Sequence, residues 1–133
     1  MAVERTSVTR FEQLIAWQKG RELNKQVYLA TSGGAFAKDF GLARQTQRAA
    51  VSIPSNIAEG FERKNPAEFH QFLAIAKGSC AELRTQLYLA LDVGYLDESQ
   101  FDGLMKNAEE VGRIVGALRV SVARMRDDDR RKK

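Results

Sequence analysis

Apolar residues in this chain recur at steps of three and four along four long segments, with no period-two alternation. Each such segment has one stripe to bury, and short links leave the stripes only one another to bury against. The spacing predicts an all-α protein, an antiparallel up-down-up-down four-helix bundle, with helices over about 10–31, 40–63, 66–93 and 98–125. Together, residues 9–125 make one domain. Residues 1–8 form an N-terminal tail, and residues 126–133, RDDDRRKK, form a charged C-terminal tail that frays.

Local signals set the ends. Thr9 and Glu12 fit a capping box at the first helix. Its stripe is Leu14, Trp17, Gly20, Leu23, Val27 and Tyr28. Ile15 and Leu29 fall on the opposite, charged side and point to a subunit interface. Gly33 is placed to take the left-handed cap, and Phe36 and Phe40 to plug one end of the core. Asp39 is the expected N-cap of the second helix, and Asn65-Pro66 opens the third. The third stripe runs from Phe69 to Ala90, thinned at Gly78, Ser79 and Ala81 so that another helix can approach. Gly94 ends it, and Phe101 to Met125 carry the fourth, which Gly112 and Gly116 thin in the same way.

The second segment, Leu42 to Arg63, has two stripes. One is core-facing: Leu42, Thr46, Ala49, Ala50, Ile53, Ile57 and Phe61. Beside it runs a polar row of Gln45, Arg48, Ser52, Asn56 and Glu59, side chains that hydrogen-bond one another or a partner. Pro54 interrupts both, with no N–H for the carbonyl of Ala50, and is expected to kink or break the helix at about 3 kcal/mol unless compensated. Ser52, Ser55 and Asn56 cluster around it as candidates to satisfy the freed backbone.

Chemistry is sparse. There is no glycine-rich phosphate loop, nucleophile motif or metal-ligand spacing. A di-iron site needs two Glu-x-x-His pairs, and His70 is the chain's one histidine. It reads as a surface or rim residue. Cys80, the one cysteine, lies on an apolar stripe as an inert thiol; it rules out an internal disulfide and points to a reducing compartment. No enzyme activity, cofactor or metal is expected. The N-terminus lacks a signal-peptide core, and no apolar run approaches the ~20 residues of a membrane span, so a soluble cytoplasmic protein is expected.

The net charge of +4 permits a polyanionic partner without demanding one. Arg44 and Arg48 on the second helix, Arg63 and Lys64 after it and Arg119 on the fourth are the candidate nucleic-acid contacts. Arg44, turned toward solvent, is the better phosphate contact; Arg48 is read as paired with Glu59, and Glu59 is also spaced for an i,i+4 pair with Arg63.

The run from Gln45 to Gly60, QTQRAAVSIPSNIAEG, resembles the signature of the four-helix-bundle proteins encoded in intervening sequences of bacterial 23S ribosomal RNA genes. Leu14 with Trp17-Gln18, Glu68-Phe69, Ala76 with Gly78-Ser79, Glu82-Leu83 and Gly94-Tyr95 are similar too, so the likeness spans about Phe11 to Met125. The loop at Phe36-Ala37 departs from it by lacking a proline. The resemblance implies a homopentamer with a central channel. It also implies kinship with the accessory proteins of diversity-generating retroelements, which bind nucleic acid and associate with a reverse transcriptase. The intervening-sequence proteins themselves have no established activity. Two functions therefore stand side by side. One is an oligomeric scaffold that binds RNA or DNA through backbone phosphates, beside a reverse transcriptase or RNA-processing protein. The other is a protein–protein adaptor that binds no nucleic acid. The polar row likewise has two readings, a network that fixes helix register or a face toward the channel or nucleic acid.

Overall fold

The computed structural model describes residues 8–132, so most of the N-terminal tail and Lys133 lie outside the described residues. Among those residues there are five α-helices, one 3-10 turn and no strand. The helices are α1 Ile15–Thr31, α2 Gly34–Lys38, α3 Phe40–Glu62, α4 Pro66–Asp92 and α5 Glu98–Lys132, with the 3-10 turn at Phe11–Gln13. Each long helix packs on two others: α1 on α3 and α5, α4 on α3 and α5. The side chains between them, led by Leu23, Ile53, Ile57, Leu73, Leu83, Val111 and Val115, are shut off from solvent.

Entry into α1 differs from the expected capping box. Gln13, not Glu12, reaches back: its Oε1 accepts from the amides of Thr9 at 2.8 Å and Arg10 at 3.2 Å. This closes the 3-10 turn, Leu14 goes extended, and α1 begins only at Ile15. At the other end of α1, Gly33 is extended and Gly34 takes the left-handed conformation at φ 59°. Phe36 is buried against Tyr95, ring centroids 5.3 Å apart. Phe40 does not plug the core; it is 72% exposed. Asp39 caps α3 as expected, with Oδ1 accepting from the amide of Leu42 at 3.1 Å. That cap makes Phe40 the first helical residue and turns it outward.

The expected break at Pro54 does not occur, and α3 runs unbroken past it. Ile53 and Pro54 seat on Gly20 of α1, where a Cβ would stand 3.3 Å from Ile53 Cγ2 and 3.6 Å from the proline ring. Packing against α1 supports the helix where its own ladder is short of a bond. Of the glycines, the one with least room lies between α3 and α4. A Cβ on Gly60 would stand 2.6 Å from Phe72 Cβ. The expected thin points differ: Gly78 faces open space, and a Cβ on Gly112 would stand at an ordinary 3.8 Å from Cys80 Cβ.

Asn65 caps α4 through the amide of Glu68 at 3.1 Å, with Pro66 in the first turn. The last helix does not end near residue 125 but continues to Lys132. Its acids and bases alternate by turns, with Arg131 on Asp128 at 2.8 Å, and Arg130, Arg131 and Lys132 complement the negative end of the helix.

The four seams are not alike. Across the α1–α5 seam Lys19 meets Glu110 at 3.7 Å, and the Asn107 amide donates to Gln26 at 2.6 Å. A cavity of about 170 Å³ lies beside them, reaching Leu23 and Val111.

Candidate functional site

The polar row of α3 divides in two. Its middle is a network. Asn56 Nδ2 donates to the carbonyl of Ser52 at 2.8 Å and to its Oγ at 2.9 Å, and Ser79 of α4 donates to the same hydroxyl at 2.8 Å. A seryl oxygen shared between an amide and a second serine ties α3 to α4 at this level. The early part, Gln45 and Arg48, is exposed.

Arg48 is not paired with Glu59. Glu59 instead meets Arg63 at 3.4 Å, the i,i+4 pair, and Arg63 also reaches Glu68 at 3.7 Å. Arg44 is exposed as well, and neither Arg44 nor Arg48 forms an ion pair among the described residues. They stand one turn apart on the same face.

Arg63 and Lys64 are differently employed. The Arg63 guanidinium lies 5.0 Å from the centre of the Phe72 ring, and the Lys64 ammonium 5.0 Å from that of Phe61. Lys64 is left-handed at φ 57°, closing α3. Both charges are engaged at the α3–α4 turn. Arg44 lies near the start of the same helix, roughly 28 Å away along its axis. The five candidate contacts are thus not one patch.

Arg119 lies elsewhere again, on α5 against α4. Its Nη2 is 3.3 Å from His70 Nε2, and Nη1 of Arg126 is 3.4 Å from His70 Nδ1. Burial first, then the fields of Arg119 and Arg126, hold the imidazole below its usual pKa, while Asp127 opposes them. The sequence reading left Arg126 in the tail and His70 alone. The usable signal was register: His70 and Arg119 stand nearly equal distances from Gly94, so an antiparallel pair brings them level.

At the opposite end, Tyr95 donates its hydroxyl to Asp39 Oδ2 at 2.9 Å. The Leu42 amide and this hydroxyl hold the Asp39 carboxyl below its ordinary range, and the bond raises the Tyr95 phenol. Cys80 is 1% exposed, and burial pushes its thiol up to about 11. Among the described residues no three His, Cys, Asp or Glu side chains gather to hold a metal, and no helix is long and apolar enough to cross a membrane. An open apolar groove of about 580 Å³ runs between the start of α1, the α3–α4 turn and α5, lined by Leu14, Phe61, Phe69, Leu118 and Met125 among others.

A family profile described as "23S rRNA-intervening sequence protein" matches residues 12–117. A solved structure from Bacteroides thetaiotaomicron, described as a protein with unknown function from the S23 ribosomal protein family, superposes with a TM-score of 0.72. It is 21% identical, over 78% of this chain and 97% of that one, which is a likeness of fold. No curated protein matches the chain.

Proposed function

This chain belongs to the 23S rRNA-intervening sequence protein family, and on that footing we propose that it is a non-enzymatic oligomeric scaffold that binds structured RNA or DNA through backbone phosphates. The observation that carries this reading is Arg44 with Arg48: two exposed guanidiniums, one turn apart, with no carboxylate among the described residues holding either. Guanidinium forks suit phosphate oxygens, and phosphate contacts give affinity without sequence specificity.

The scaffold is an up-down-up-down bundle. Thr31 bonds Gln47, Ser52 bonds Ser79, and Tyr88 packs on Phe101, the pairings expected when each neighbour runs antiparallel. Copies associate through apolar side chains left outside the core, Ile15 and Leu29 on α1 and Ile75 and Leu89 on α4. The proposed assembly is the homopentamer implied by the resemblance, acting in the cytoplasm beside a reverse transcriptase or RNA-processing protein.

A second reading, a protein–protein adaptor, draws on the apolar groove beside Phe61 and Leu118. Salt separates the two. Affinity for an RNA hairpin and for duplex DNA is measured across a salt series, with the assembly mass taken in the same buffer. Arg44→Gln with Arg48→Gln removes about two phosphate contacts per chain and flattens the log–log salt slope by about 1.5–2 per bound chain. A slope unchanged by both substitutions refutes the assignment, and no binding at low salt leaves the adaptor.

A further inference from the structure

On the seam between α4 and α5, the donors around His70 and Arg119 outnumber the acceptors that meet them. A neutral imidazole has one N–H and one acceptor nitrogen, and a guanidinium only donates. His70 has a guanidinium at each ring nitrogen, at 3.3 and 3.4 Å. One of those contacts therefore sets a donor against a donor in either tautomer, and protonating the ring makes both so. The shortage continues at Arg119, whose Nε is buried with no partner among the described residues. The carboxylate that bears on the cluster, Asp127, is taken up by Nε of Arg126 at 3.1 Å. Lys77, two turns along α4 from His70, lies over Gly116, about one turn before Arg119, and adds another cation to the seam. Half-buried donors without acceptors are costly, and a ligand with several acceptor oxygens relieves the cost. Arginine forks set a strongly charged tetrahedral oxyanion apart from water.

We propose that His70, Arg119 and Arg126 form a pocket for one phosphate group, gripped by the two guanidiniums with the imidazole between them. It rests on the phosphate-binding reading for its ligand, and adds a second contact point away from Arg44 and Arg48. The phosphate comes either from a nucleic-acid backbone or from solution, and both share the same chemistry at the pocket.

Because His70 is the one histidine, the imidazole nitrogens of the full chain give a single assignable pair of signals in a long-range nitrogen–proton spectrum. Inorganic phosphate is titrated at constant ionic strength against chloride, and an RNA hairpin is titrated separately. Saturable movement of both ring nitrogens with phosphate but not chloride is expected. The bound dianion cancels part of the arginine field, so the ring pKa rises by about one unit. Arg126→Gln weakens phosphate binding by about ten-fold or more, and serves if Arg119→Gln does not fold. Ring signals that follow chloride equally, stay still in phosphate, or respond unchanged in Arg126→Gln overturn the pocket, whatever RNA does. If RNA moves the ring as phosphate does, the backbone is the source. If phosphate moves it and RNA binds nowhere, the pocket stands for the free anion and the nucleic-acid reading falls.

Discussion

Replacing Gly60 with alanine places a methyl carbon 2.6 Å from Phe72 Cβ, 2.9 Å from Phe69 Cδ1 and 3.3 Å from Phe72 Cγ. Carbon atoms prefer about 3.5–4.0 Å, so the first contact is about 1 Å too short. A side-chain rotation does not relieve it, because Cβ is fixed to the backbone of α4. The two helices must part, or Phe69 and Phe72 must leave their places over Phe61 and beneath Arg63. Overpacking of this kind costs about 1–3 kcal/mol. The helix-propensity gain of alanine over glycine is at most about 1 kcal/mol and shrinks in the last turn of α3, where Gly60 stands. The expected net is a loss of about 1–2 kcal/mol, or roughly 3–7 °C in Tm for a chain of this size. Gly78→Ala is the matched control: its methyl meets nothing within 4 Å, so the propensity gain is uncancelled and Tm rises by a few degrees. Thermal unfolding followed by circular dichroism reads both signs. A Gly60→Ala protein as stable as the parent refutes the reasoning. Phe72→Ala cannot rescue it, since the atom in the way remains.

Two further outcomes follow from buried and capped groups. Cys80, with its thiol near 11, stays unreactive toward Ellman's reagent at pH 8 in the native protein and reacts only on unfolding; rapid native labelling contradicts the packing. Asp39 has a folded pKa below its ordinary 3.8, so its contribution is present above that value and is lost as pH falls toward the folded pKa. Asp39→Asn keeps a capping oxygen but carries no charge, so the parent's advantage over it in urea unfolding at pH 7 shrinks at pH 3. An advantage equal at both pH values is the contrary result.

The sequence made the long helices legible because a three-to-four spacing has one structural meaning over twenty residues. Asp39 and Asn65 were legible as caps for a similar reason: each stands alone at the head of a periodic run. The misses have a common cause, that a decision of one residue or one contact is not written in periodicity. Glu12 and Gln13 both offer a side chain to the same amides, and geometry chose the second. Starting α3 at Phe40 turned an expected core aromatic to solvent. Gly60 rather than Gly78 is the close approach because that depends on which side of α3 and α4 faces the other. Within the candidate site, the Ser52–Asn56 part of the polar row was visible on one helix, but its partner Ser79 was not. The His70 cluster needed the register of α5 on α4 and a helix that does not stop at residue 125.

The α1–α5 seam carries a consequence for how the molecule breathes. The α3–α4 joint is closed by interlocked aromatics, while this one is latched by an exposed ion pair and an amide pair beside a cavity. An exposed ion pair contributes at most about 1 kcal/mol. The ring of helices is therefore expected to part there before it unfolds, with the α3–α4 joint as the hinge. Water then reaches Leu23 and Val111 from a state that keeps α3 and α4 together, and amides beside those residues exchange at a lower free energy than those around Ile57 and Leu73.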